Sequence, residues 1–208
     1  MPLQLSSRFN DFDALAEASR GWNLDFWQLD SGPFRAEFDQ MVTPSATLIE
    51  TAFSRKIEQR GAPPSGCRTF GFAATDNFDA YWRGKNVGPH DLMLFPPGGE
   101  LESLSKPGFH VFAFSVSEQL IEAAAARRGL DSVEILFPET DLVSCPAPVM
   151  AGIRNRARLL SRSAADHPGL VNNRPFRDNL ESDLVDRVLD AVSISVKPAG
   201  SRPVARSR

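Results

Sequence analysis

Between Trp22 and Val116 apolar and polar residues alternate in short runs, and a backbone of period two gathers each apolar set on one face. In WNLDFWQLD, Trp22, Leu24, Phe26 and Gln28 fall on one side, with Asn23, Asp25, Trp27 and Leu29 on the other. In FRAEFDQM, Phe34, Ala36 and Phe38 oppose Arg35, Glu37 and Asp39. The runs ATLIETAFS, RKIEQRG, CRTFGFAA, AYWRG, DLMLF, ELESLS and FHVFAFSV follow. Turn-forming residues separate most of them, at Pro44, Gly61 to Gly66, Thr75 to Asn77, Gly84 to Pro89, Pro96 to Gly99 and Pro107-Gly108. Roughly eight or nine strands at this spacing, without crossover helices, predict an antiparallel sandwich or barrel.

The period turns helical at Ser115. Ser115-Val116-Ser117-Glu118 fits a capping box, QLIEAAAARR is strong helix-forming sequence, and Gly129 is a natural stop. A shorter helix precedes the strands, with Asn10 as its cap and Gly21 as its end. After the connector LDSVEILFPETDLVSCPAP, a helix over roughly Val149 to Arg162 carries the stripe Val149, Ile153, Ala157 and Leu160. Arg154, Arg156, Arg158 and Arg162 lie largely off it. A last helix starts near Pro175 and places Phe176, Leu180, Leu184 and Val188 four apart, flanked by Val185, Leu189 and Val192. Joined by ADHPGLVNN, the two make an αα-hairpin. The even stripe predicts a seam between two copies, so Phe176, Leu180, Leu184 and Val188 are the candidate pairing residues of a homodimer. The expected layout is a β-barrel with a short N-terminal helix over 1–130, a connector and helical hairpin over 131–196, and a flexible tail over 197–208.

A chain of 208 residues is long enough to bury a core, and its 42% hydrophobic and 24% charged residues are those of an ordinary globular protein. A net charge of −3 gives no basic footprint for nucleic acid, so DNA binding by this chain alone is not expected. No apolar run approaches the roughly 18 to 20 residues of a membrane span, and MPLQLSSRFNDFD lacks the order of a signal peptide. A cytoplasmic protein without membrane contact is expected. Cys67 and Cys145 lack metal-ligand spacing, which argues against a disulfide framework and a zinc ribbon.

Candidate chemistry is sparse. In many barrel enzymes of the cupin type a histidine follows a turn such as the one in DLMLFPPGGELESL and holds a metal, whereas Glu100 and Leu101 stand here. His90, His110 and His167 form no His-x-His pair. No Gly-x-Ser-x-Gly elbow, activated cysteine or phosphate loop is present, and Glu100 and Glu102 read as solvated edge charges. Neither catalysis nor a cofactor is expected. The barrel region is instead rich in aromatic rings, and such rings with a few polar groups can line a concave ligand pocket or simply fill a core.

The succession of motifs resembles a known family. WNLDFWQLDSGPFRAEF is similar to a stretch near the start of the N-terminal regulatory domains of AraC-type transcription regulators. RGAPPSGCRTFGF, YWRGK, DLMLFPPGGELES and PGFHVFAFSVSEQLIE continue in the family's order, so the resemblance covers roughly Phe9 to Arg128 and, more loosely, the hairpin to Val196. It implies a cupin-like barrel that binds a small-molecule effector, and a helical element that pairs two subunits. A C-terminal pair of helix-turn-helix motifs would read DNA. Twelve residues follow Val196, and even one average helix takes about 11. The chain is thus expected to be a regulatory fragment ending near the linker, or a natural protein without the reader, touching DNA only through a domain absent here. Candidate ligand-binding residues are Trp27, Phe70, Phe72, Trp82, Phe112 and Phe114, with Arg68 or Gln28 as polar handles. The alternatives are a metal-dependent cupin enzyme and a stand-alone interaction protein with a packed barrel.

Overall fold

The alternation of the first half is realised as two antiparallel sheets, one over the other. The computed structural model describes residues 2–19, 21–95, 100–130, 132–137 and 140–195. The larger sheet contains β1 (Leu3–Phe9), β3 (Ala36–Val42), β4 (Ala46–Phe53), β6 (Cys67–Ala73), β9 (Asp91–Leu94), β11 (Phe109–Ser117) and β12 (Leu142–Ser144). Its order is β1-β3-β4-β11-β6-β9-β12. The smaller contains β2 (Asn23–Gln28), β5 (Ile57–Ala62), β7 (Ala80–Trp82), β8 (Lys85–Val87) and β10 (Leu101–Ser105), in the order β2-β5-β10-β7-β8. The protein is therefore mainly β, with its C-terminal helices appended to one face.

Three strands exceed the sequence expectation, among them β8, which lies in the stretch read as the turn Gly84 to Pro89 and pairs with β7. β1 is serine-rich and lies at the sheet edge, so its alternation is weak. β12 is three residues long and emerges from the stretch read as a connector; it pairs with β9. A turn at Pro96 to Gly99 between the runs DLMLF and ELESLS predicts a hairpin there, and the structure differs. Those four residues lie outside the described residues, but the strands flanking them do not form a hairpin. β9 pairs with β6 and β12, whereas β10 pairs with β5 and β7 in the other sheet. The physical reason is burial: Leu92, Met93 and Leu94 are buried in succession, as in a strand covered on both faces, while Leu101, Ser103 and Ser105 alternate with less buried residues. Gly61, expected in a turn, continues β5 with φ +146°, and a Cβ there would lie 1.8 Å from the Asn23 carbonyl oxygen. Only glycine lets β2 pair with β5 at this point.

The helices cap as short polar residues allow. α1 (Phe12–Ala18) is capped by Asp11 rather than Asn10, its carboxylate accepting from the Asp13 N–H at 3.1 Å. β11 runs on to Ser117, so Ser117 rather than Ser115 caps α2 (Glu118–Arg127), accepting from the Leu120 N–H at 3.3 Å. Ser115 instead shares a hydrogen bond with Thr69, and Glu118 turns to Arg68 rather than back to the cap. A single turn, α3 (Val133–Leu136), precedes β12. α4 (Ala147–Asp166) and α5 (Arg174–Ser195), joined by a 3-10 turn over Pro168–Asn172, form the hairpin.

That hairpin lies with α2 on the outer face of the larger sheet. Met150, Ile153, Leu160, Leu184 and Val188 share one core with Leu48, Phe70, Phe72, Phe112 and Phe114. The proposed pairing seam is thereby corrected. Leu180, Leu184 and Val188 are 1, 0 and 0% exposed within the monomer, and half-buried Phe176 packs against the same core. Val185, Leu189 and Val192 are buried too, so the apolar arc is too wide for a two-helix seam and suits a helix covered on several sides. Arg154 is likewise not off the packed face: it is 4% exposed, donates to the Pro89 carbonyl at 2.6 Å and pairs with Asp76. Among the described residues no helix is long and apolar enough to cross a membrane.

Candidate ligand-binding site

Alternation leaves the inner faces of both sheets apolar, and they enclose a second core separate from the helical one. Phe38, Ile49, Phe53, Met93, Phe109 and Val111 come from the larger sheet, and Ile57, Trp82 and Leu101 from the smaller. This core is not filled. A cavity of about 60 Å³ remains between the sheets, and Leu15, Ser19 and Trp22 from α1 and the turn after it complete its lining. Such a void holds about two waters and is smaller than the ~150 Å³ that admits benzene into an engineered cavity.

One row of the cavity wall can be followed residue by residue across the smaller sheet. Phe26 pairs with Gln59, Gln59 with Ser103, and Ser103 with Trp82. Two polar side chains thus stand side by side between two aromatic ones. Gln59 and Ser103 are 8 and 6% exposed, and their side chains have no hydrogen-bond partner among the described residues. The Trp22 Nε1 is also buried without a partner. By contrast, the Trp82 Nε1 donates to the Asp141 carbonyl at 2.9 Å, and the Ser19 hydroxyl to the Leu15 carbonyl at 2.9 Å. Buried amides and hydroxyls are ordinarily satisfied, so a glutamine and a serine left without partners in the lining of one cavity mark it as a place for a ligand or water.

The sequence-predicted residues divide sharply. Trp82 lines the cavity. Phe112 borders it, yet its ring lies 5.5 Å from that of Phe72 in the core beneath the helices, where Phe70 and Phe114 also pack. Arg68 sits 4.9 Å over the Phe137 ring and 3.5 Å from Glu118, on the helical side. Trp27 is 47% exposed on the outer face of the smaller sheet. Gln28 holds its own turn, donating to the Gly32 carbonyl at 2.8 Å. The groupings by face were right, but Phe70, Phe72, Phe112 and Phe114 face the helices instead of the interior. A strand buried on both faces gives no polarity by which the inner one can be chosen. Gln59 and Ser103 were missed, although Gln59 shares a face with Ile57 and so stands as a polar residue on an apolar face.

A second, polar cleft of about 180 Å³ opens between the larger sheet and α4 and is lined by Glu37, Asp39, Glu50, His110, Ser161 and Arg162 among others. His110 Nε2 lies 2.9 Å from Glu50 Oε1. Burial works to raise the Glu50 carboxyl, but hydrogen bonds from His110 and Ser161, with the charges of His110 and Arg158, outweigh it and hold the group below its usual range. Burial dominates at neighbouring Asp39 and pushes it up, despite a hydrogen bond with Ser6. Among the described residues no three His, Cys, Asp or Glu are grouped so as to hold a metal ion. His90 and His167 take part through their backbones, the first accepting from the Cys145 N–H and the second closing α4. Cys67 and Cys145 are free thiols, and burial pushes both up.

No family model matches the sequence, and no curated protein matches it either. Among solved structures the fold resembles that of the AraC-like transcriptional activator CuxR, with a TM-score of 0.63 and 12% identity, over 96% of this chain and 73% of that one. An apo form of ToxT from Vibrio cholerae gives 0.35 at 9% identity, over 86% of this chain and 61% of that one. An RmlC-like cupin from Shewanella frigidimarina gives 0.32 at 11%, over 53% and 92%. CuxR establishes a shared fold; the other two superimpose too loosely to argue from.

Proposed function

We propose that this chain is the effector-sensing domain of an AraC-type transcription regulator, taking a small molecule between its sheets and transmitting its presence to a DNA-binding domain outside this chain. The observation that carries the reading is the cavity with its buried, unpartnered Gln59 and Ser103. The likeness to CuxR supports the regulatory part through fold alone, and the site has to supply the rest.

The larger sheet supplies a route for transmission. Ile49, Val111 and Ala113 face the cavity, while Leu48, Phe112 and Phe114, one residue away on the same strands, bear on the helices. A ligand that prefers one arrangement of sheet and helices shifts that equilibrium by its differential affinity, and an attached reader responds to the shift. The reading is of binding without catalysis: no ionisable side chain lines the cavity among the described residues. Thermal melting of the purified chain across a metabolite panel tests it. Ligand at about 100 times its Kd adds about 2.7 kcal/mol. That is a rise of roughly 5 to 10 °C for a chain of this size. The rise is expected to vanish in Ser103→Leu, which fills the void. No rise with any compound, or an equal rise in the variant, would overturn the reading.

A further inference from the structure

We infer that the ligand of the interior cavity is a neutral, single-ring or similarly compact apolar molecule bearing one hydroxyl or carbonyl group; the inference rests on the effector-sensing reading above. Charge gives the first limit. Leu, Phe, Trp, Met, Val, Ile, Ala and Gly make up most of the lining, and its polar members among the described residues are Ser19, Thr51, Gln59 and Ser103, none of them ionisable. A carboxylate, phosphate or ammonium would leave water without meeting an opposite charge, a loss that no neutral hydrogen bond recovers.

The unpartnered groups give the second limit. Gln59 and Ser103 stand side by side in the lining, and each can donate and accept. One ligand oxygen meets this set, whereas a pure hydrocarbon leaves it unpaired. A sugar or other polyhydroxylated molecule carries more polar groups than the wall can answer, since the hydroxyls of Ser19 and Thr51 already bond to the Leu15 and Glu37 carbonyls. Shape and size give the third. Phe26 and Trp82 flank the two polar residues, and Phe95 stands 4.4 Å from Trp82 and 5.6 Å from Trp22, ring to ring. The void of about 60 Å³ is smaller than one ring, so a single ring is the upper bound and would require half-buried Trp22 and Leu24 to move outward.

Calorimetric titration of the full chain at neutral pH with phenol, toluene, benzoate and benzylammonium tests this, since the four are of similar size and differ in polarity and charge. Phenol is expected to bind, and toluene about three- to tenfold more weakly, the ratio one net hydrogen bond supplies. Benzoate and benzylammonium are expected to bind at least about 100-fold more weakly than phenol. Gln59→Leu should bring phenol and toluene to within about twofold of each other. Ser103→Ala should narrow the gap as well, and it carries the test should circular dichroism show Gln59→Leu unfolded. Benzoate or benzylammonium binding as tightly as phenol overturns the neutral class and leaves sensing intact. Equal affinity for phenol and toluene in the unaltered chain overturns the polar handle. Binding of none of the four overturns the inference, and the metabolite panel then decides separately whether the barrel senses anything.

Discussion

Leu184→Ala separates a helix that belongs to the monomer's core from one that joins two copies. Leu184 is fully buried on α5, within the core that also contains Met150, Ile153, Phe112 and Phe114. Truncation removes the transfer free energy of the lost methyl groups and leaves a void that rigid neighbours on the sheet and α4 close only in part. The expected loss is about 3 to 5 kcal/mol, a large share of the roughly 5 to 15 kcal/mol that keeps a domain folded. With a urea m-value of about 2 kcal/mol/M, the unfolding midpoint falls by roughly 1.5 to 2.5 M. Leu159→Ala, on an exposed position of α4, is the control and should move stability by no more than about 0.5 kcal/mol. The decisive measurement is denaturation by urea, followed by circular dichroism, at two protein concentrations a hundredfold apart. A core position gives the same loss at both, with no change in the mass measured by light scattering. A loss that depends on concentration, accompanied by a change in mass, would place Leu184 between subunits and refute the packing argument.

Three further predictions concern β5, which carries Gln59, and the polar cleft between the larger sheet and α4. Gly61→Ala should lower stability by at least about 2 kcal/mol in the same assay, because a Cβ would both strain φ +146° and strike the Asn23 carbonyl that pairs β2 with β5. Glu50, held below its ordinary value of 4.5, contributes stability that is present above that value and is lost as pH falls through its folded one. Glu50→Gln should therefore destabilise at pH 7 and cost less at pH 3. Asp39, pushed above 3.8, has the opposite sign: its ionised form opposes folding at neutral pH, so Asp39→Asn should stabilise at pH 7 and do little at pH 3. Urea midpoints at the two pH values read both, and matching pH trends for the two variants would contradict the assignment.

What the sequence made legible was parity. Within β2 and β3, Asn23 to Gln28 and Ala36 to Asp39 alternate in burial as their assigned faces require, since side-chain direction in a strand is a local property fixed by the backbone. Destination was less legible. CRTFGFAA and FHVFAFSV are apolar on both sides, because one side meets the opposite sheet and the other meets the helices. Nothing in such a run says which side is which; the choice is made by α2, α4 and α5, encoded far along the chain. The smaller sheet, with its outer face in water, and β3 near the edge of the larger one carry a polarity that orients their strands. The same distinction accounts for DLMLF and ELESL, neighbours in sequence that belong to different sheets.

The doubly covered sheet also bears on how sensing would work. Were the helices attached to the smaller sheet, a ligand could act on them only through the whole thickness of the barrel. As built, Val111 and Ala113 on one face of β11 alternate with Phe112 and Phe114 on the other. A displacement of the strand toward or away from the cavity is thus felt by closely packed rings under α2, α4 and α5. Under that proposal Phe70, Phe72, Phe112 and Phe114 would form the back of the wall: they would support the surface a ligand presses on, and they pack against the helices that would respond. On the proposed reading, ligand discrimination would rest with Gln59 and Ser103 on the opposite side, where a polar substitution could change affinity without disturbing the helical core. On the proposed reading, recognition and response would be carried by different sheets, with the cavity as their common boundary.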